Sequence, residues 1–378
     1  MKVSCSQQDL SRGLGIVGRA VTARTTLPIT QNVLIATDQS RLKLSATNLE
    51  IALSCSIGAQ VEEEGAITIP ARLISQFVDS LPPEKVSLEL SARSHSIVLR
   101  CGRFQARLNG LDAADFPPIP AVNDDLSCQL DPNALHEAID QVVLAAATDD
   151  TRPVLTGVQA EFEGDTLTLA AADGFRLAVR SLPLSSPVAK KVAVIIPSRS
   201  LAELARLLDN QEEPVAFTAN PQRGQARFSL KNVELVTQLI QGSFPNYSQL
   251  IPANFTTRTV INTAEYLKAA RTVSILARDG GSVIRLQITP GEELTPGKLN
   301  LSAKAEEVGD DSGEIDASIN GQAVQIAFNS KYLVDVLSAI RQEKVSLETT
   351  TSSSPGVLRP VDEGSNYIHV IMPMFVQW

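Results

Sequence analysis

Apolar and polar positions along this chain follow a pattern that recurs three times. From Gly65, "GAITIPARLISQFVDSLPPEKVSLEL" reads as an alternating strand, a short basic lead into an amphipathic helix, and a second strand. "VAVIIPSRSLAELARLLDNQEEPVAFTA" from Val192 and "VQIAFNSKYLVDVLSAIRQEKVSLETT" from Val324 repeat that order. Pro70, Pro197 and Asn329 hold the same place in the three copies. Period-2 strands recur as "RLKLSA" at Arg41, "TLTLAA" at Thr166 and "KLNLSA" at Lys298. A helical pattern opens each third: "QQDLSRGLGIVGRAVT" from Gln7, "DPNALHEAIDQVVLAAA" from Asp131 and "NTAEYLKAARTVSILA" from Asn262. Leu10, Leu14, Val17 and Val21 share one face of the first; Leu135, Ile139, Val142 and Ala146 share one face of the second.

Self-similarity at a fixed period signals a repeat architecture. The expected organisation is three copies of one domain, at residues 1–125, 126–253 and 254–378. Two helices and many short strands in each copy make the fold class α+β with antiparallel sheets.

Composition adds constraints. The chain has 378 residues, 43% hydrophobic and 20% charged, as in ordinary globular proteins. Its four cysteines, Cys5, Cys55, Cys101 and Cys128, lie far apart without a CxxC, which favours reduced thiols. "MKVSCSQQDL" lacks the apolar stretch of a signal peptide, and no run reaches the length of a membrane span; a cytoplasmic protein without a membrane partner is expected. A net charge of −9 argues against a surface-wide nucleic-acid binder, while allowing cations gathered on one face. The closing "YIHVIMPMFVQW" has hardly a charge. It reads as the last strand of the third copy, running on into a lip of apolar surface suited to a partner.

Enzyme chemistry finds little support. "GLGIVG" (Gly13, Gly15, Gly18) satisfies GxGxxG with Asp38 twenty residues on, but that fingerprint needs a tight turn after a strand, and here the helical pattern has already begun. A dinucleotide-dependent enzyme therefore stands only as an alternative. Asp149, Asp150 and Asp173 are acids without HxH or HExxH; His95, His136 and His369 are isolated; and no GxSxG elbow occurs. No catalytic residue, metal site or cofactor is expected. A protein-binding repeat scaffold without DNA is the other alternative.

"ADGFRLAV" in the middle copy, "FPNY" closing it and the terminal "VIMPM", with "RTTLPITQNVLI" and "TNLEIAL" near the start, resemble the bacterial DNA sliding clamps, the beta subunits of the replicative DNA polymerase. The resemblance covers the whole chain. It implies a non-catalytic processivity factor: a head-to-tail homodimeric ring of six domains, with sheets outside and helices lining a hole for duplex DNA. Its partners would be DNA of any sequence, the replicative polymerase, the clamp loader and repair proteins that bind through short peptides.

Arg12 and Arg19 lie on one face of the first helix, and Lys268, Arg271 and Arg278 form a stripe on the third copy's opening helix, as DNA-facing cations would. Arg72, Arg199 and Lys331 begin the mid-domain helices, with Arg206 following Arg199 by seven. The resemblance adds Arg24 as a DNA-facing residue. The second copy's opening helix departs, carrying His136, Glu137 and Asp140, and Arg152 is followed by Pro153 and Val154. Sliding requires phosphate contacts that carry no sequence information. Glu62–Glu64 and Asp310–Asp311 are expected to face away from DNA.

The resemblance also implies a peptide groove between the second and third domains. It would be built from Leu155, Gly174, Phe175, Arg176, Leu177, Pro245 and Leu250, and from Val370, Met372, Pro373, Met374 and Val376 of the tail. Leu, Val and Met make an adaptable wall, consistent with partner binding near micromolar strength, about −8 kcal/mol. Family positions at the subunit contact correspond to Arg103, Arg107 and Leu108 on one side and Ile275, Leu276, Glu306 and Glu307 on the other.

Overall fold

The computed structural model describes residues 1–22, 27–91, 94–122, 126–278, 280–292, 295–362, 364 and 366–377. Arg24 and the expected first boundary, at Asp125, lie outside the described residues.

Each of the three strand–helix–strand patterns forms as expected. The first is Ala66–Pro70, Ala71–Asp79 and Lys85–Ser91; the second Val192–Pro197, Ser198–Leu208 and Val215–Asn220; the third Val324–Asn329, Ser330–Ala339 and Lys344–Thr349. In chain order the six α-helices are α1 (Gln7–Val17), α2 (Ala71–Asp79), α3 (Pro132–Val143), α4 (Ser198–Leu208), α5 (Thr263–Ala277) and α6 (Ser330–Ala339). Local chemistry fixes several starts. Ser6 caps α1 by accepting from the Asp9 N–H, Asn262 caps α5 by accepting from Glu265, and Asn329 caps α6 by accepting from Lys331 and Tyr332.

Contacts divide the chain into two compact units: residues 1–133, 184–189 and 199–240, and residues 134–183, 190–198 and 241–378. The division runs through the middle repeat because the sheets, not the repeats, hold the units together. In the first unit, the eight-stranded sheet joins strands of the first repeat (Asn32–Asp38, Arg41–Thr47, Ile51–Gly58, Ala66–Pro70) to strands of the second (Leu126–Leu130, Val215–Asn220, Gln225–Ser229, Val233–Gln238). The join pairs Val233–Gln238 antiparallel with Ile51–Gly58. A five-stranded sheet in the same unit ends on the edge strand Phe104–Asn109. The second unit holds one twelve-stranded sheet, in which the closing strand Tyr367–Ile371 pairs with Arg176–Pro183 on one side and Gly356–Pro360 on the other.

Helical stripes meet the sheets as their periodicity requires. Leu10, Leu14 and Val17 are fully buried, as are Leu135, Ile139 and Val142. The opening helix is shorter than its pattern: α1 ends at Val17, a 3-10 turn covers Gly18–Ala20, and Val21 is extended and half-buried. Gly13 and Gly15 lie inside α1 and Gly18 at its end, so "GLGIVG" does not form a strand-to-helix phosphate turn. Gly13 has a packing reason instead, since a Cβ there would lie 2.8 Å from Leu44 Cδ1.

Candidate nucleic-acid interface and peptide groove

Arg72, Arg199 and Lys331 are the second residues of α2, α4 and α6, and all three are exposed. Three equivalent helices thus present a cation at the same position. Lys268, Arg271 and Arg278 are also exposed along α5, Arg278 as its C-cap. Arg12, Arg19 and Arg206 come together in the first unit, where they line a cleft of about 810 Å³ with Arg41 and Lys231.

Several of these cations have partners the sequence reading did not include. Arg12 pairs with Asp9 at 2.7 Å, Arg206 with Glu203 at 2.6 Å and Lys331 with Asp335 at 2.8 Å, each one helical turn away. Arg271 donates to Ser338 Oγ on α6 at 3.2 Å. Among the described residues, Arg19, Arg72, Arg199, Lys268 and Arg278 form no ion pair. Exposed pairs contribute about 0–1 kcal/mol and give way readily to a phosphate. The spacing of Asp9, Glu203 and Asp335 three or four residues from their cations is the signal that identifies them.

The candidate groove residues lie in the second unit and divide into buried and exposed sets. Leu155, Leu177 and Val370 are buried, and Leu177 stands opposite Val370 across the sheet. Leu177 and Val370 form one apolar cluster with Ala170, Ala172, Val179 and Val357, packed over by Phe244, Tyr247 and Ile251. Phe175, Met372 and Leu250 remain 60%, 44% and 52% exposed, Pro245 is exposed, and Pro373 and Met374 are half-buried. An apolar floor with exposed Phe, Met and Leu side chains beside it is a surface suited to short apolar peptides.

Gly174 and Arg176 act differently from a lining. Gly174 adopts φ +95°, and a Cβ there would meet the Arg152 guanidinium at 3.0 Å. Asp173 Oδ1 accepts from the Phe175 and Arg176 N–H groups at 2.9 and 3.0 Å, fixing the turn that presents Phe175. The side chain of Arg176 is buried, bonded to Asp173 Oδ2 at 3.0 Å and Asp335 Oδ2 at 2.8 Å, and stacked 4.2 Å from the Tyr332 ring centre. It ties the turn that carries Phe175 to Asp335 and Tyr332 of α6, whereas the resemblance implied a place in the lining. Arg152, Asp335, Tyr332, Phe244, Tyr247 and Ile251 are the contributors missed from sequence. Only the Phe-Pro turn at Ser243 hinted at the last three.

The tail also differs from expectation. Met374 is tied to the strand Val324–Asn329, its N–H donating to the Ala327 carbonyl at 2.8 Å, and Met374 and Val376 are half-buried. Phe375 turns outward, 88% exposed. Val376 and Gln377 then line a cavity of about 930 Å³ with Arg285, Lys304, Glu306 and Glu307.

At the candidate subunit contact, Arg103, Arg107, Glu306 and Glu307 are exposed, Ile275 is 63% exposed and Leu276 half-buried. Leu108, near the end of the edge strand Phe104–Asn109, is buried. The large apolar group offered by that edge is Phe104, at 55% exposure.

Family models for the DNA polymerase III beta subunit match the chain in three consecutive segments: N-terminal domain at residues 1–120, central domain at 129–246 and C-terminal domain at 248–375. The chain belongs to the DNA polymerase III beta subunit family, the sliding clamps. It is 33% identical to the beta sliding clamp of Synechococcus elongatus over 378 residues, covering 99% of each chain. With the beta sliding clamp of Bacillus subtilis it shares 30% over 385 residues, again 99% of each. The crystal structure of the Bacillus subtilis DNA polymerase sliding clamp matches with a TM-score of 0.93 over 100% of both chains. Three tandem clamp domains of α+β type and a non-catalytic, processivity role in DNA replication follow from membership, and the dinucleotide-enzyme alternative falls with it. Among the described residues no helix is long and apolar enough to cross a membrane.

Proposed function

We propose that this sliding clamp acts as a homodimeric ring that encircles duplex DNA and tethers its polymerase by peptide capture. The observation that carries the reading is the exposed cation at the second position of α2, α4 and α6. A repeat that returns the same charge three times offers interchangeable phosphate contacts, which grip without arresting movement. Two such chains joined head to tail double the set and close a ring. In this reading the domains are residues 1–125, 126–253 and 254–378. Arg103, Arg107 and Phe104 of one subunit meet Ile275, Leu276, Glu306 and Glu307 of the other. Opposite charges across that contact favour the head-to-tail pairing.

The rim formed by Phe175, Pro245, Leu250, Met372 and Met374 receives short peptides from the polymerase, the clamp loader and repair proteins. Many partners sharing one site call for binding near micromolar strength, about −8 kcal/mol, so that each leaves in turn.

Native mass measurement tests the ring: a species of twice 40.5 kDa is expected, and a strict monomer refutes it. Once loaded, the protein should stay on nicked circular DNA and leave when that DNA is linearised. Equal loss from both forms refutes encirclement.

A further inference from the structure

The frame beneath the peptide rim is built twice. In the second unit, Asp173 Oδ1 accepts from the N–H groups of Phe175 and Arg176, the Asp173 N–H donates to the Arg176 carbonyl at 3.3 Å, and the Met372 N–H donates to the Phe175 carbonyl at 2.8 Å. In the first unit, Asn48 Oδ1 accepts from Glu50 and Ile51 at 3.0 and 2.9 Å, the Asn48 N–H donates to the Ile51 carbonyl at 3.2 Å, and the Gln238 N–H donates to the Glu50 carbonyl at 2.9 Å. Strand registers agree as well. Val370 faces Leu177 and Ile371 faces Arg176, just as Val236 faces Ala52 and Thr237 faces Ile51. Asn48, Leu49, Glu50 and Gln238 therefore stand where Asp173, Gly174, Phe175 and Met372 stand. The Phe-Pro segment recurs too. Ile119 packs over Ala52, Val122 and Val236, as Phe244, Tyr247 and Ile251 pack over the other floor.

This first-unit frame is open. Leu49, Glu50, Ile51, Gln238 and the stretch Pro117–Pro120 surround a cavity of about 240 Å³. Leu49 is 54% exposed and holds φ +78°, a left-handed conformation that leucine rarely adopts and that the other frame gives to a glycine. Strain of that kind persists where the surroundings impose it, and it collects at ligand sites. Among the described residues, Glu50 is the one acidic or basic side chain on the cavity wall; it is exposed and makes no ion pair.

We propose that this cavity is a second peptide-docking site, selective for a short apolar peptide carrying Lys or Arg beside its leading apolar side chain. The apolar side chain fills the space between Leu49, Ile51 and the proline-rich wall, and the basic residue meets Glu50. The proposal rests, by equivalence of the two frames, on the peptide-groove reading of the second unit. Its charge preference is its own, because the other frame places Phe175 where this one has Glu50.

The test is methyl NMR of the full chain titrated with acetyl-Lys-Leu-Lys-Leu-Phe-amide and, separately, acetyl-Glu-Leu-Glu-Leu-Phe-amide. Leu49 and Ile51 methyl signals report the first frame; Met372 and Leu177 methyls report the second. Saturable shifts of Leu49 and Ile51 are expected with the lysine peptide, and binding there about fivefold weaker with the glutamate peptide. Glu50→Gln should weaken the lysine peptide by a similar factor at Leu49 and Ile51 and leave the Met372 response unchanged. Unmoved Leu49 and Ile51 signals up to about millimolar peptide, or binding indifferent to both peptide charge and Glu50→Gln, overturn the proposal. Movement of Met372 and Leu177 alone refutes it while the groove reading stands. Movement of Leu49 and Ile51 alone does the reverse.

Discussion

Arg176 Nη1 and Lys331 Nζ both lie 2.8 Å from the same oxygen, Oδ2 of Asp335. One carboxylate thus ties the buried anchor of the peptide rim to an exposed cation at the start of α6. The side chain of Arg176 is only 6% exposed, whereas that of Lys331 is 71% exposed, so the two bonds differ in value. Asp335→Ala should lower stability by about 2 kcal/mol, the range for a hydrogen bond to a buried charge. Lys331→Ala should change it by less than about 0.5 kcal/mol. Chemical denaturation of the two variants measures the contrast, and equal losses would contradict this reading of Arg176.

Cations without an internal partner should contribute most to holding DNA. Arg72, Arg199 and Lys268 form no ion pair among the described residues, whereas Arg12 and Arg206 must first release Asp9 and Glu203. Replacing Arg72, Arg199 and Lys268 together by Ala should flatten the salt dependence of DNA association by about 0.9 per phosphate contact removed. The Arg12→Ala and Arg206→Ala pair should flatten it less. Association measured over a range of salt concentrations reads both slopes.

The repeat, the six helices and the strand–helix–strand order along each copy were legible in the sequence because period and pattern are local properties. Alternation placed Arg41–Thr47, Thr166–Ala172 and Gly297–Ala305 within a residue of their observed starts. The proposed groove was suggested only by resemblance. Nothing local announces that Asp335 reaches Arg176 across 159 positions, or that Met374 bonds to Ala327. Leu108 is buried while Phe104, on the same face of the strand Phe104–Asn109 by alternation, is exposed, a gradient along one face that period 2 alone does not reveal.

The tail gives a sharper test of the groove. Deleting residues 373–378 removes Pro373, Met374 and Val376 from the rim but leaves the strand Tyr367–Ile371 with both its sheet partners. Peptide binding should be lost, measured by fluorescence anisotropy with a labelled partner peptide, while the native mass stays that of the full-length assembly. Retained binding would remove the tail from the site.

Cys5, Cys55, Cys101 and Cys128 are all free and buried. Burial pushes the Cys5 thiol up to about 12 and that of Cys128 to about 11. Near neutral pH neither forms appreciable thiolate, the reactive species. A thiol reagent should therefore label the native protein slowly and all four cysteines at once in denaturant. Rapid native labelling would show that the sheets open locally.

His369 should give the fold a pH dependence of definite sign. It is fully buried, and the Tyr367 hydroxyl donates to the Gln141 carbonyl at 3.0 Å, so the hydroxyl oxygen accepts from His369 Nδ1–H, also at 3.0 Å. That arrangement leaves Nε2 unprotonated, with no hydrogen-bond partner among the described residues. Burial, reinforced by the Arg176 guanidinium, lowers the imidazole from its ordinary 6.5 to about 3. The unfolded chain therefore binds a proton that the folded chain refuses. Its contribution is fully present above pH 6.5 and is lost as pH falls through the window down to about 3. One such group changes stability by at most about 1.4 kcal/mol per pH unit. Carboxylates add their own dependence in acid, so the informative quantity is the difference between the wild type and His369→Gln. Denaturant midpoints taken from neutral pH down through this window should show a shallower fall for His369→Gln; parallel curves would mean that His369 is protonated in the folded protein.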